Sequence, residues 1–389
     1  MNLFEGYLFV DVRRLAVMLV LYAGLGGPVR AQNDFETSLV FEKGEPYGYR
    51  IPSVVVSKKG TVLAFAERRV GLHDHAQNDI VLKRSLDGGR TWGPEIVVHQ
   101  DGRNVLVNPC AVALDSGRVL LMYQWFKQGY HARRGPHMRL LNPGLKGDTV
   151  SHTLVVTSDS DGVTWEGPRD VTVGTKRARM NSTATGPGIG TILQRGEHKG
   201  RIIMPTNEGW WEGRKWFFRI YACYSDDGGE TWDYGDAVPP GDKGYGNECQ
   251  IVELSDGTLL FNSRSFAGNH LRKISRSRDG GKTWSPLIDD ETLIEPECMG
   301  SILRYSWPEG GRSRILFANP ASQQGRRRGT VRVSYDEGET WLLSKVIEVG
   351  PYAYSCLTRL PDGRIGVLYE AEDYREIKFA QFFIDWLEN

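Results

Sequence analysis

Apolar and polar positions alternate along most of the chain in pairs of short segments, and a tight polar turn separates the two segments of each pair. Six such pairs can be read, from IPSVVVSKKGTVLAFAER at 51–68 to CLTRLPDGRIGVLYEAE at 356–372. Asp-Gly, Ser-Gly and Lys-Gly steps lie in the turns, and glycine readily adopts the positive φ that tight hairpin turns require. The pattern predicts six β-hairpins.

An octapeptide related to S-x-D-x-G-x-T-W follows each of the first five hairpins. The copies lie at 85–92, 158–165, 225–232, 277–284 and 334–341. We expect their five aspartates to accept N–H bonds within their own turns, while the tryptophans bury an apolar face. A catalytic or calcium-binding role for these acids is the alternative, and it is disfavoured because the turn already occupies the carboxylate.

Each hairpin and the strand pair around its octapeptide make four strands. Four-stranded units repeated around an axis form a β-propeller, so the sequence predicts an all-β, six-bladed propeller of four-stranded antiparallel blades. The sixth hairpin has no octapeptide, and only the apolar segment 376–384 follows it. We expect TSLVFEK at 37–43 to supply the missing outer strand and close the ring, because closure leaves no open sheet edge. A single domain over 32–389 follows.

Composition narrows the class of protein further. The 48 basic and 48 acidic residues cancel, which argues against a nucleic-acid partner. The five cysteines are scattered without C-x-x-C spacing, so neither a zinc site nor a disulfide framework is expected, and we predict small buried side chains.

The N-terminus has the layout of a signal peptide. Arginines, an apolar run and small residues follow one another over 12–32. This layout predicts a signal peptide at 1–31 and a secreted or periplasmic protein, and it leaves association with the cell surface open. A membrane anchor is the alternative, but the apolar run is short for a span. After cleavage no membrane-spanning segment is expected.

The hairpin turns and octapeptides all fall at one end of the predicted strands, so a site built from the other loops lies at the opposite end. That end carries an unrepeated set of reactive or charged side chains: Arg50, Arg69, Asp74, Glu248, Arg264, the arginines at 326–328, Tyr354 and Glu370. Three converging guanidiniums suit one small carboxylate, because each can fork onto its oxygens. The aromatic-rich segment 208–218 is open between packing within a blade and an apolar platform for a ligand.

These segments resemble the family 33 glycoside hydrolases, the exo-sialidases. The resemblance rests on YRIP at 49–52, the repeated octapeptides, ECQIVELSDGTLLFNSR at 248–264 and AYSCL at 353–357, and the order of parts agrees from about residue 40 to the C-terminus. The repeated octapeptides are only moderately specific, since non-enzymatic propellers carry them too.

The resemblance implies a role for each unrepeated residue. Tyr354 would be the nucleophile, Glu248 its base and Asp74 the general acid/base. The carboxylate of sialic acid would bind Arg50, Arg264 and Arg326, with Arg327 and Arg328 as alternatives to the last; Arg69 would contact the substrate and Glu370 would orient Arg50. His73 and His75 flank Asp74, but two histidines on a loop without a third ligand make a weak metal site, so neither a metal nor another cofactor is expected.

The resemblance therefore implies a retaining exo-α-sialidase that hydrolyses terminal sialic acids from glycoproteins, glycolipids or oligosaccharides through a tyrosyl-glycosyl intermediate. Its partners would be sialylated glycans. A non-catalytic sialic-acid-binding propeller and a trans-sialidase-type transferase remain as alternatives. A propeller glycosidase acting on neutral polysaccharide is disfavoured, because a neutral sugar gives three arginines nothing to bind.

Overall fold

The computed structural model describes residues 35–135, 138–242, 244–266 and 269–389. The signal peptide predicted at 1–31 lies outside the described residues. Residues Asp34–Asn389 form one compact unit. The described residues form 27 strands, three 3-10 turns and one short helix, which confirms the predicted all-β class.

Antiparallel pairing sorts most of the strands into six groups that follow one another along the chain; the first and second groups belong to one nine-stranded sheet, and the fifth and sixth to one seven-stranded sheet. The first group contains β2 (Tyr47–Val56), β3 (Val62–Val70), β4 (Asn78–Ser85) and β5 (Ile96–His99). The second contains β6 (Val105–Ala113), β7 (Val119–Phe126), β10 (His152–Ser158) and β11 (Glu166–Asp170), and the short pair β8 (Tyr130–His131) and β9 (Arg139–Leu140) is inserted after β7. The third contains β12 (Ser182–Thr185), β14 (Thr191–Ile192), β15 (Ile202–Glu212), β16 (Lys215–Ser225) and β17 (Asp233–Tyr234), while β13 (Gly188–Ile189) pairs with β6.

The remaining groups complete the chain. The fourth contains β18 (Gly246–Glu253), β19 (Leu259–Ser265), β20 (Leu271–Ser277) and β21 (Ile288–Ile294). The fifth and sixth share one long strand, β25 (Leu343–Arg359), whose first part pairs with β24 (Arg327–Ser334) and whose second part pairs with β26 (Ile365–Ala371). Their other strands are β22 (Ser301–Ser306), β23 (Arg314–Pro320), β24 (Arg327–Ser334), β26 (Ile365–Ala371), β27 (Glu376–Phe382) and β1 (Phe35–Glu42).

Short helical elements connect or end these strands. The 3-10 turns are η1 (Thr172–Gly174), η2 (Pro308–Gly310) and η3 (Glu372–Tyr374), and α1 (Ile384–Glu388) ends the chain. No helix among the described residues is both long and apolar enough to cross a membrane.

The first strand of the described chain pairs with the last one. β1 runs antiparallel to β27, with Phe35 opposite Phe382 and Glu42 opposite Glu376. The segment 37–43 was predicted to add an outer strand to the sixth hairpin, and its residues 37–42 lie on β1 in this pairing. The closed ring and the count of six blades stay predictions.

Four octapeptides share one hydrogen-bond pattern. In the first, Asp87 accepts the Ser85 hydroxyl at 2.7 Å, and the backbone N–H and the hydroxyl of Thr91 at 2.9 and 2.6 Å. Asp227, Asp279 and Asp336 accept the matching groups in the copies at 225–232, 277–284 and 334–341. Their carboxylates are occupied within the turn, as the sequence predicted.

The copy at 158–165 departs from this pattern, so the prediction of five equivalent aspartates is wrong there. Ser160 holds the third position, lies 2.6 Å from the Thr164 hydroxyl and accepts the Thr164 N–H at 2.7 Å. Asp161 is thereby free for other partners, and it accepts hydrogen bonds from Thr61 and Arg84 of the first group, both at 2.7 Å. This acid links two groups rather than closing its own turn.

The cysteines are all buried and unpaired, as predicted. Cys110, Cys249 and Cys356 lie in three different apolar clusters. They act as small apolar side chains in the core.

Candidate active site

Strand pairing places the octapeptides and the unrepeated residues at opposite ends of the strands. In the first group, Arg69 lies opposite Asn78 at one end of β3 and β4, while Val62 lies opposite Ser85 at the other. The loop that carries Asp74 follows the first of these ends, and the octapeptide at 85–92 follows the second.

A pocket of about 250 Å³ opens at the end that carries Asp74. Its lining includes seven of the eight residues predicted from the sequence: Arg50, Arg69, Asp74, Glu248, Arg264, Arg326 and Tyr354. Glu370 lies behind Arg50. Arg327 and Arg328 do not line the pocket, so of the three adjacent arginines it is Arg326 that lies beside the other two predicted carboxylate ligands.

A tyrosine and a glutamate form the centre of this pocket. The Tyr354 hydroxyl lies 2.6 and 2.5 Å from the two carboxylate oxygens of Glu248 and donates its proton to that group. Arg264 Nη1 donates to Glu248 Oε2 at 2.8 Å and to Tyr354 Oη at 3.2 Å. Glu248 lies on β18 and Arg264 on β19, both in the fourth group. Tyr354 lies on the second part of β25, in the sixth group.

Burial and charge set the protonation of this pair. Burial raises the pKa of Tyr354 well above its ordinary value, and the negative charge of Glu248 adds to the rise. Burial also acts to raise the pKa of Glu248, but the Arg264 guanidinium and the Tyr354 hydroxyl outweigh it and lower that pKa. The resting site therefore holds a neutral phenol against an ionised carboxylate.

Glu370 fixes Arg50 and two backbone segments at once. Its carboxylate accepts Arg50 Nε at 2.6 Å, the N–H of Ile51 at 2.8 Å and the N–H of Tyr354 at 3.1 Å. Ile51 has a φ of 58°, which is rare for a β-branched residue, and the strand register shifts between Arg50 and Ser53. This local irregularity turns Arg50 into the pocket, and Glu370 holds it there.

Unlike Arg50 and Arg264, Arg326 makes its hydrogen bonds to neutral groups, and these bonds are longer than the shortest that the other two arginines make to carboxylates. Its Nη1 donates to the Tyr374 hydroxyl at 3.3 Å and its Nη2 to the backbone oxygen of Glu297 at 3.3 Å. Arg50, Arg264 and Arg326 therefore surround Tyr354 with three guanidiniums, two of which already bind a carboxylate.

Asp74 lies at the mouth of the pocket, where its side chain is 68% exposed. Arg69 Nη1 donates to it at 2.9 Å, and Arg69 is itself buried against Glu67. Partial burial acts to raise the pKa of Asp74, but the Arg69 guanidinium outweighs this effect and lowers the pKa to about 2.

Residues that had no role in the prediction from sequence also shape the pocket. Glu67 is fully buried and accepts hydrogen bonds from Arg69 and from the backbone N–H of Asn108, at 2.7 Å each. Phe218, from the aromatic-rich segment at 208–218, lines the pocket. Within the same segment, Trp210 stacks on Phe217, and the ring of Trp211 lies at 55° to that of Trp216. The segment thus serves both packing and the pocket wall. An acid two residues from Arg69 was the available signal for Glu67.

The two histidines that flank Asp74 stack on each other, with their ring centroids 5.4 Å apart. Among the residues that the structure describes, no group of three or more His, Cys, Asp or Glu side chains is arranged to hold a metal ion.

Comparisons with known proteins show the family of this chain. Residues 60–367 match the model of the BNR repeat-like domain family. A sialidase of Micromonospora viridifaciens is 35% identical over 374 residues, which cover 93% of this chain and 55% of that protein. A sialidase of Paraclostridium sordellii is 30% identical over 385 residues, which cover 92% of this chain and 91% of that protein.

A solved structure, the Hadza microbial sialidase Hz136, is 27% identical and matches with a TM-score of 0.77, covering 87% of this chain and 66% of that one. This chain spans little more than half the length of the Micromonospora relative. On the family match, the two relatives and this structural neighbour, the chain belongs to the family 33 glycoside hydrolases, the exo-sialidases.

Proposed function

We propose that this protein is a retaining exo-α-sialidase, which hydrolyses terminal sialic acids from glycoproteins, glycolipids or oligosaccharides through a tyrosyl-glycosyl intermediate. The observation that carries the proposal is the Tyr354 hydroxyl within 2.6 Å of both oxygens of Glu248, in a pocket that three guanidiniums share. Sialylated glycans are the proposed substrates.

Substrate binding begins with the carboxylate on the anomeric carbon of sialic acid. Arg50, Arg264 and Arg326 bind this group, since forked guanidinium donors match carboxylate oxygens. The anomeric carbon is thereby held over Tyr354, which lies among the three arginines.

In the first chemical step Tyr354 Oη attacks the anomeric carbon while its proton passes to Glu248. The bond from that carbon to the glycosidic oxygen breaks, and Asp74 gives a proton to the departing oxygen. A neutral phenol suits this attack because a carboxylate nucleophile would be repelled by the carboxylate of the substrate. The high pKa of Tyr354 means that it needs Glu248 at hydrogen-bond distance to take the proton.

In the second step water replaces the tyrosine. Asp74, now ionised, takes a proton from the water, whose oxygen attacks the anomeric carbon, and Glu248 returns its proton to the departing Tyr354 oxygen. Each step inverts the anomeric centre, so the released sugar keeps the configuration of the substrate.

A non-catalytic sugar-binding protein would need the arginines but would have no use for a phenol paired with a buried carboxylate. This pair therefore favours an enzyme over a lectin. A transferase would use the same residues and would differ in the second step, where a sugar hydroxyl replaces water.

We further propose that the six antiparallel groups are the blades of one propeller, with β1 closing the ring against β27. The pairing of β1 with β27 supports this arrangement. We also propose a domain over 32–389 and export through a signal peptide at 1–31, on the sequence pattern alone.

Hydrolysis of a fluorogenic sialoside by the wild-type protein and by Tyr354→Phe tests the proposal. We expect release by the wild type and a loss of at least about 10³-fold in kcat for the variant, because phenylalanine has no oxygen with which to form the covalent intermediate. Tyr305→Phe is the matched control, since its hydroxyl bonds the backbone oxygen of Gly363 at 2.8 Å and neither residue lines the pocket.

Three results would contradict parts of the proposal. No release by the wild type excludes the hydrolase. Equal release by Tyr354→Phe excludes the nucleophile. Transfer of sialic acid to added lactose in preference to water would assign the protein to the transferases.

A further inference from the structure

The turn between β26 and β27 has an unusual backbone. Glu372, Asp373 and Tyr374 follow one another with φ values of 50°, 52° and 67°. Residues other than glycine rarely enter this left-handed region, and three in succession are held there only by their surroundings. Such strained segments collect at functional sites, so the position of this turn relative to the pocket is informative.

The turn places Tyr374 against two of the three arginines. The guanidinium carbon of Arg50 lies 4.3 Å from the centroid of the Tyr374 ring, which is within the range of a cation–π contact. The Tyr374 hydroxyl accepts Arg326 Nη1 at 3.3 Å. Tyr374 is half-buried behind these side chains, packs against the apolar cluster that contains Ile51 and Tyr354, and does not line the main pocket.

The three guanidiniums differ in what orients them. Arg50 has Glu370 as its partner and Arg264 has Glu248. Within the described part of the chain, Arg326 has no carboxylate at ion-pair distance, and Tyr374 is the side chain that accepts its hydrogen bond. A neutral hydroxyl can orient a guanidinium without adding a compensating charge, so the contact with Tyr374 does not reduce the attraction of Arg326 for a substrate carboxylate.

We propose that Tyr374 is a positioning residue, which sets the spacing and direction of Arg50 and Arg326 for the carboxylate of the substrate. This role rests on the proposed function of the site. The ring stacks on one arginine, the hydroxyl receives a donor from the other, and the left-handed turn fixes both contacts. The packing around the turn holds it in this strained geometry.

Steady-state kinetics on a sialoside separates this role from a purely structural one. Tyr374→Phe keeps the ring over Arg50 and loses the hydroxyl, so we expect KM to rise about 5- to 10-fold while kcat changes less than about 2-fold. The reason is that the carboxylate is bound alike in the ground state and the transition state. Tyr374→Leu loses the ring contact as well, and the KM should rise further. Tyr305→Phe, which loses a hydroxyl bond far from these arginines, should leave KM unchanged.

A binding measurement tests the link to the carboxylate without relying on turnover. Calorimetry with free sialic acid and with its carboxamide should show that Tyr374→Phe weakens binding of the acid and leaves binding of the amide nearly unchanged. Equal weakening of both ligands, or no weakening of either, would overturn the positioning role. A wild-type protein that binds the acid but releases no product would overturn the hydrolase proposal instead, and the comparison of acid with amide would still decide the role of Tyr374.

Discussion

The Asp74 carboxyl is ionised in the resting protein, yet the proposed first step needs it protonated. Arg69 lowers its pKa to about 2, and its side chain is largely exposed to water. A bound substrate would cover this carboxyl and bring a second carboxylate towards it. Both changes disfavour the ionised form, so both raise the pKa of Asp74 in the complex.

The pH dependence of hydrolysis should therefore differ between free protein and complex. For a sialylated oligosaccharide, whose leaving group needs a proton, we expect the decline of kcat on the alkaline side to lie at higher pH than the decline of kcat/KM. The first reports the pKa of Asp74 in the complex and the second its pKa in the free protein. Profiles from pH 2 to 9 cover both the pKa of about 2 in the free protein and the raised pKa in the complex.

Asp74→Asn is the control for this assignment. The amide keeps the size of the side chain and an oxygen for Arg69, but it neither gives nor takes the required proton, so kcat should fall by about 10²- to 10⁴-fold. A variant that keeps the wild-type rate and the same alkaline decline would show that another group supplies the proton.

Whereas Asp74 has a proposed role in catalysis, the aspartates of the octapeptide turns stabilise the fold. Asp87 is exposed at the end of the strands away from the pocket and accepts four hydrogen bonds within its turn. We expect Asp87→Ala to lower the free energy of unfolding by about 1 kcal/mol and to leave kcat unchanged. Urea unfolding followed by tryptophan fluorescence measures the first, and sialoside hydrolysis the second. Leu86→Ala, at a neighbouring side chain that is 78% exposed, is the matched control.

The stabilisation by Asp87 also has a defined pH range. Partial burial acts to raise its pKa, but the Thr91 hydroxyl and backbone N–H outweigh this and lower it to about 2. A carboxyl whose pKa is lower in the folded state stabilises the protein above its ordinary pKa and ceases to do so as pH falls towards the folded value. The difference between wild type and Asp87→Ala should therefore shrink below about pH 4. A difference that persists at pH 2 would contradict this origin.

Local patterns in the sequence predicted those elements whose structure depends on nearby residues. The hairpin turns, the octapeptides and the strand predicted at 37–43 could be read because turn chemistry and alternation act over a few residues. The eight site residues were found by resemblance, and the structure brings them together. Tyr374 was missed because its partners Arg50 and Arg326 are brought close only by the fold. Glu67 was given no role although its partner Arg69 lies two residues away; only its contact with the N–H of Asn108 depends on the fold. The acid in 158–165 was misassigned because Asp161 stands one position later than in the other copies, and its partners Thr61 and Arg84 lie in another group.

The two ends of the described chain meet in one apolar cluster. Phe41 of β1 is 1% exposed and packs with side chains of β2 to β4 from the first group and of β25 to β27 from the sixth. The active site spans the same junction, because Arg50 of β2 is held by Glu370 of β26 across 320 positions of sequence. The proposed closing strand and the candidate pocket therefore lie at the same junction between the first and sixth groups.

Truncation of Phe41 tests whether the pocket depends on the closing strand. We expect Phe41→Ala to lower the free energy of unfolding by about 3–5 kcal/mol, because it removes a fully buried aromatic ring. Leu39→Ala, on the same strand but at a side chain that is 46% exposed, should cost less than about 0.5 kcal/mol. In urea, both activity and tryptophan fluorescence should be lost at the same midpoint in each protein, and that midpoint should fall only for Phe41→Ala. Activity that persists in urea beyond the first fluorescence transition would show that the pocket stays intact after β1 has separated. The closing strand would then have no part in holding Arg50 against Glu370.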